Sequence, residues 1–177
     1  MGAITGKRPV KLVASIIFKE DELLGFAERS MKRLFGPVEE LSMAVPFDQT
    51  DYYFPEFGQP LKRKIISFKK LVSMEKIYMV KIASNRLEDR SRAHGKRRVN
   101  IDPGYVTDAK LVLLTTKDYS HRVYIGKGIF SEVTLFFQNG SFKTWPWTYP
   151  DYAKDEMRSF FDKVRGLYMD DLKELKR

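Results

Sequence analysis

Hydrophobic and polar positions change period several times along this chain. PVKLVASIIF, residues 9–18, is an aliphatic and β-branched run bounded by Pro9 and by charge, which predicts a buried strand. From Asp21 the apolar residues Leu23, Leu24, Ala27, Met31, Leu34 and Phe35 recur at three and four, and Gly36 with Pro37 supplies a stop, so a helix follows. VEELSMAVPF predicts a second strand and LKRKIISFKKL a third. Between them DQTDYYFPEFGQP, residues 48–60, mixes Pro, Gly and aromatics without a period and predicts a loop. Ser73 offers an N-cap for a helix running to about His94, with Met74, Ile77, Val80 and Leu87 on one side and Gly95 at its end. Val99 or the AKLVLLTT run then supplies a fourth strand.

That order, βαββαβ, predicts an α+β class: an antiparallel ferredoxin-like sheet with helices packed on one face. HRVYIGKGIFSEVTLFFQNG reads as a hairpin through Gly126 to Gly128, and Asn139 with Gly140 as a second turn into SFKTW, so C-terminal hairpins extend the sheet. From about Asp151 a last helix places Met157, Phe160, Phe161, Val164, Leu167, Tyr168, Leu172 and Leu175 on one stripe, which predicts cover for the core. A chain of 177 residues with 43% hydrophobic and 14% aromatic content suits one packed domain, residues 1–177, with no need of disulfides.

Composition removes several chemistries. With no cysteine there is no thiol nucleophile and no thiolate metal site, and His94 and His121 are too few for a site of three histidines. A hard-cation site of carboxylates stays open, and no cofactor is indicated. The N-terminal apolar run of about eight residues is short of the roughly 20 that span a bilayer, and no cleavage pattern follows it. The expectation is a cytoplasmic protein with no membrane partner. GAITGK, residues 2–7, has one residue too few for a phosphate loop and is followed by Arg8 and Pro9. No GxSxG occurs, which disfavours hydrolytic triad chemistry.

Charge is segregated. The net charge is +9, yet residues 37–58 hold Glu39, Glu40, Asp48, Asp51 and Glu56 with no Lys or Arg. Residues 59–98 hold thirteen Lys and Arg against Glu75, Glu88 and Asp89, a surplus of ten. Such a block favours phosphate-bearing partners, RNA included, through counterion release. The alternative is a solvated helix face in which Glu88 pairs with Arg92 at i, i+4, the acidic block neutralising the rest.

Residues 100–132 carry the densest chemistry. A turn through Gly126 to Gly128 that pairs Ile125 with Ile129 sets Arg122 opposite Glu132, with Tyr124 beside them and His121 on the other face. The pair is either a simple cross-strand ion pair or an anion ligand oriented by Glu132, with Lys117 nearby. His121 is a general acid or base, or a structural histidine. NIDPGY reads as a turn, with Pro103-Gly104 suited to type II, which is sufficient structural reason for the motif; the alternative is that it presents Asn100 and Asp102 beside Lys110 and Lys117 to hold a metal or a hydroxyl-rich ligand. TWPWTYPDY, residues 144–152, reads as a rim of stacking aromatics or as a proline-stiffened lid over the core, the lid being preferred.

PFDQTDYY, PLKRK, NIDPGY, TTKDYSHRVYIGKGI and WTYPDY, in that order, resemble a prokaryotic family catalogued as domain of unknown function 4416. The resemblance covers nearly the whole chain. It implies one compact cytoplasmic domain whose polar motifs gather, it supplies no catalytic residues, and some members carry a GTP-binding label. The motif positions include Asp48, Asp51, Tyr105 and Asp151. Three functions follow as expectations. The first is binding of a phosphate-bearing ligand, nucleotide or RNA, by Lys62, Arg63, Asn100, Tyr105, Lys117, Arg122, Tyr124 and Glu132. The second is an enzyme acting on a phosphorylated or carboxylated metabolite, with His121 and Asp102 as acid and base. The third is a scaffold that uses its charged blocks as interaction surfaces.

Overall fold

The computed structural model describes residues 8–175 and 177; the GAITGK segment lies outside them. Along the described residues run β1 (Val10–Phe18), α1 (Asp21–Phe35), β2 (Val38–Leu41), β3 (Val45–Pro46), α2 (Phe54–Phe57), β4 (Lys62–Val72), α3 (Tyr78–Arg90), β5 (Val99–Val106), β6 (Lys110–Thr115), β7 (Val123–Gly126), β8 (Ile129–Gln138), β9 (Ser141–Thr144) and α4 (Asp155–Glu174). The strands form one antiparallel sheet in the order β2-β4-β1-β5-β6-β8-β7, with β3 added to β4 and β9 to β8. The class is α+β. No helix of the described residues is long and apolar enough to cross a membrane.

β1 is buried along its whole length, and because successive side chains point to opposite faces it needs cover on both. Leu12, Ala14, Ile16 and Phe18 pack with Ala27 and Met31 of α1 and Val80 and Leu87 of α3. Val13 packs the other way, with Phe160, Phe161 and Val164 of α4. Helices therefore cover both faces of the sheet, and the expectation of one covered face is corrected. A central strand buried on both sides leaves two faces to shield. On the α4 side Lys11, fully buried, is paired with Glu39 and with Asp171 at 2.7 Å.

NIDPGY is strand, not turn. Residues 99–106 pair with β1 throughout, Phe18 with Val99 to Lys11 with Val106. On its other edge β5 meets β6 only at Gly104, Tyr105 and Val106. Pro103 has no N–H to donate, and the β5–β6 ladder stops beside it. Gly104 permits the close contact that remains: a Cβ there would lie 2.4 Å from the Val112 carbonyl oxygen and 2.8 Å from Leu113 Cδ2. Beyond this point the strands part, and the first half of β5 has no strand paired to that edge.

Smaller differences have local causes. VEELSMAVPF splits into two short strands on the edge of β4. α3 starts at Tyr78, because the Ser73 hydroxyl accepts from the Glu75 N–H at 3.3 Å and caps a separate turn. It ends at Arg90, before His94 and Gly95, which both have positive φ. The hairpin turns at 126–128 and 139–140 form where expected.

Candidate functional site

The parting of β5 and β6 opens into a cavity of about 610 Å³. Its floor is the α4-side face of the sheet: Arg63 from β4, Asn100 and Asp102 from β5, Leu113 from β6 and Glu132 from β8. Through the gap α3 contributes Lys81, Asn85 and Glu88. Phe47, Tyr52 and Tyr53 from the 47–57 segment, Lys117 and Tyr119 from the β6–β7 connection, and Tyr149, Asp151 and Tyr152 from the segment before α4 complete the wall. The TWPWTYPDY segment runs along that side: Trp147 Nε1 donates to the Val133 carbonyl at 3.0 Å and Thr148 Oγ1 to the Thr134 carbonyl at 2.7 Å, while the rings of Trp145 and Trp147 stack on each other and stay partly exposed.

Six cations and five carboxylates line the cavity, and most neutralise one another. Lys81, 5% exposed, donates to the Ile101 carbonyl at 2.9 Å and to Asp102 Oδ1 at 3.0 Å, with Glu88 3.7 Å away. Arg97 donates to Glu56 through Nε and Nη2, at 2.9 and 2.7 Å, and to Glu88 through Nη1 at 2.7 Å. Arg122 donates to Glu132 Oε2 at 2.7 Å, to the Lys117 carbonyl at 3.1 Å and to the Tyr149 hydroxyl at 3.1 Å. These three are braces between segments, with few donors to spare.

Two cations differ. Arg63, whose side chain is 8% exposed, pairs with Asp151 through Nη1 alone. Its guanidinium lies 4.5 Å from the Phe47 ring centre and 5.1 Å from that of Tyr152, and its buried Nε has no partner. A guanidinium carries five donors, so Arg63 keeps most of its capacity. Lys117 pairs with no carboxylate among the described residues and rests 3.7 Å from the Tyr52 ring centre.

Asp102 is the carboxylate turned to the cavity. Burial works to raise its pKa, but Lys81, through charge and hydrogen bond, the Asn100 amide and the Arg63 charge outweigh it and hold the group below its ordinary value. Asn100 Nδ2 donates to Asp102 Oδ2 at 2.6 Å, and 30% of the Asp102 side chain remains accessible. Glu88 moves the other way: burial, foremost, and the neighbouring Asp102 charge raise it against the pull of Lys81 and Arg97. Burial and then Asp102 push the Tyr53 phenol well above its usual value, so it stays protonated.

Of the residues singled out in the sequence, Arg63, Asn100, Asp102, Lys117, Arg122 and Glu132 meet in the cavity. Lys62, Tyr105, Tyr124 and His121 do not line it. Lys62 neighbours Arg63 on a strand and so points to the opposite face, where it reaches Asp21 of α1 at 3.2 Å. Tyr105 is out of phase with Asn100 and Asp102 and is buried in the core beneath α1 and α3. Tyr124 is 59% exposed and its hydroxyl accepts from the Gly128 N–H at 3.4 Å. His121 lies between the rings of Tyr119 and Trp147, and its Nε2 is 3.1 Å from Glu132 Oε2. It thus shares Glu132 with Arg122 rather than facing away, because residues 119–122 turn instead of continuing the strand.

Sequence reasoning missed Lys81, Glu88 and Arg97. Lys81, Ser84 and Glu88 are all buried on α3. Their spacing of three and four was a readable polar stripe. Glu88 does not pair with Arg92; Arg92 Nε bonds Asp89 at 2.9 Å instead.

Fold and cavity together define an α+β domain built around a polar, aromatic-walled pocket at a split in its sheet. The chain belongs to the family described as domain of unknown function (DUF4416), whose model matches residues 8–168. Neither the curated proteins nor the solved structures contain a match.

Proposed function

We propose that this protein binds a phosphate-bearing small molecule of nucleotide size in the cavity between β5 and β6. The observation that carries the reading is Arg63, a nearly buried guanidinium on the cavity wall with donors left over. Lys117 is a second cation, and it has no carboxylate partner among the described residues; phosphate oxygens are acceptors that such groups bind strongly. Tyr52, Tyr53, Tyr119 and Tyr149 give apolar ring surface on which a base packs, and about 610 Å³ falls within the range of small-molecule sites.

RNA is the weaker reading for this site. Seven of the thirteen Lys and Arg in residues 59–98, namely Lys62, Arg63, Lys64, Lys81, Arg92, Arg97 and Arg98, are engaged by carboxylates. Alternation along β4 splits Lys62 and Lys64 from Arg63, so the basic block does not act as one stripe for a phosphate backbone. Calorimetry with mononucleotides and with single-stranded RNA across a salt series tests this. Mononucleotide binding that weakens with salt and in Lys117→Ala is the expected result. RNA binding with no mononucleotide binding overturns the proposal.

A second reading, an enzyme acting on a phosphorylated or carboxylated metabolite, draws on Asp102. This carboxylate is held ionised on the cavity wall, and the Tyr53 hydroxyl lines the same cavity; the shifts that keep one ionised and the other protonated also weaken them as base and acid, which makes this the lesser reading. Tyr53 takes the place given to His121 in the sequence. Turnover of a bound metabolite that vanishes in Asp102→Asn while binding persists distinguishes this from binding alone.

A further inference from the structure

The cavity has two chemically opposite poles whose separation is set by strand register. Ile17 of β1 faces Arg63 on β4, whereas Ser15, two residues earlier on the same strand, faces Asp102 on β5. One strand and a two-residue step therefore separate the poles, roughly 12 Å from backbone to backbone. At the first pole Arg63 is donor-only, with one N–H engaged by Asp151 and its Nε open. At the second, ionised Asp102 is acceptor-only. Each of its oxygens already takes one hydrogen bond, Oδ1 from Lys81 and Oδ2 from Asn100. A carboxylate offers about four lone-pair sites, so each oxygen retains roughly one for the cavity.

A phosphate cannot serve both poles. It suits Arg63, but beside Asp102 it brings like charges together with no donor between them. Asp102 calls for O–H or N–H groups, and two adjacent acceptor oxygens match two adjacent donors. The Lys81 ammonium and the Asn100 amide fix the carboxylate in place, so its remaining lone pairs are aimed before any ligand arrives. Such preorganisation turns a hydrogen bond into selectivity.

We propose that the ligand is a phosphate ester carrying a vicinal diol, of the sugar-phosphate type, with its phosphate on Arg63 and its two hydroxyls on Asp102. This rests on the phosphate-ligand reading above and adds a discrimination that reading does not require. A nucleobase is optional in this scheme, since the diol and phosphate alone satisfy the two poles.

The test is calorimetry on the unmodified chain with two matched pairs of probes, ribose 5-phosphate against 2-deoxyribose 5-phosphate and AMP against 2′-deoxy-AMP, with inorganic phosphate alongside. In at least one pair the diol form should bind about tenfold or more tightly, the effect of a hydrogen bond to a charged acceptor. In Asp102→Asn that preference, read as the ratio of affinities within each pair, should fall below about threefold. Equal affinity within both pairs, or inorganic phosphate binding as tightly as the esters, overturns the diol assignment and leaves the phosphate reading standing. Failure of every probe to bind overturns both. Because the ligand pairs are compared on one protein, a folding defect in the variant cannot imitate the result.

Discussion

Arg122 and Glu132 face each other across the β7–β8 turn although Arg122 lies outside β7. The register that sets Tyr124 opposite Phe130 extends to them, and Arg122 Nε donates to Glu132 Oε2 at 2.7 Å. Their side chains are 4% and 2% exposed, so this is a buried pair rather than the surface ion pair that a hairpin usually carries. Glu132→Ala strands a buried guanidinium and should cost about 3–5 kcal/mol. The double variant Arg122→Met, Glu132→Leu should cost clearly less than the two single changes combined. Urea unfolding measures both, and simple additivity would show that the residues are not coupled.

Lys62 and Arg63 are adjacent in sequence yet should behave as unrelated residues. Lys62 is 44% exposed and its partner Asp21 79% exposed, so Lys62→Ala should change stability by less than about 1 kcal/mol. Arg63→Met leaves Asp151, whose side chain is 4% exposed, without its cation, and should cost about 3–5 kcal/mol. Thermal melts of the two variants side by side decide this; similar losses would contradict the placement of the two residues on opposite faces.

Gly104→Ala probes the split in the sheet. The new methyl meets the Val112 carbonyl oxygen at 2.4 Å and Leu113 Cδ2 at 2.8 Å, and only the second contact can swing aside. The last paired stretch of β5 and β6 must separate, at roughly 1–3 kcal/mol or more for forced overpacking. Amide exchange should show faster exchange in residues 104–106 and 111–113, with the β1–β4 pairing still protected. Unchanged exchange there would mean that this contact does not set the spacing of the two strands.

Much of the fold was legible because periodicity reports burial directly. The run 9–18, the helix stopped by Gly36 and Pro37, and the Asn139-Gly140 turn all appear with their expected roles. NIDPGY misled because Pro and Gly are turn formers in isolation, whereas here they end one ladder inside a strand that is held on its other edge by β1. Helix placement differs for a related reason: β1 is buried on both faces and needs cover on both, which the βαββαβ order with helices on one face does not supply. In the site, the motifs Asn100, Asp102, Lys117, Arg122 and Glu132 do meet. The pleat itself argued against Tyr105 and Lys62, since neither is in phase with its neighbours in the cavity. Lys81 and Glu88 were hidden because charged residues on a helix read as solvated, and only the gap between β5 and β6 makes them reach inward.

Glu88 gives that concealed cluster a pH signature. Its folded pKa is raised, chiefly by burial and then by Asp102, while in the unfolded chain a glutamate titrates near about 4.3. The folded state therefore holds the proton more tightly, and the stability this contributes is fully present below about pH 4.3 and is lost as pH rises through the folded value. Asp102 and Glu56 have lowered values and act with the opposite sign, so total stability does not isolate Glu88. The difference between the wild-type protein and Glu88→Gln does, because Asp102 and Glu56 are common to both. The amide can still accept from the Ile101 N–H, which Glu88 Oε1 receives at 2.8 Å, so the variant should remain folded. The wild-type melting temperature minus that of the variant should be largest near pH 4 and should shrink as pH approaches 7. A difference that stays flat or grows over that range would mean that Arg97 and Lys81 overcome burial and that Glu88 is an ordinary ion-paired carboxylate.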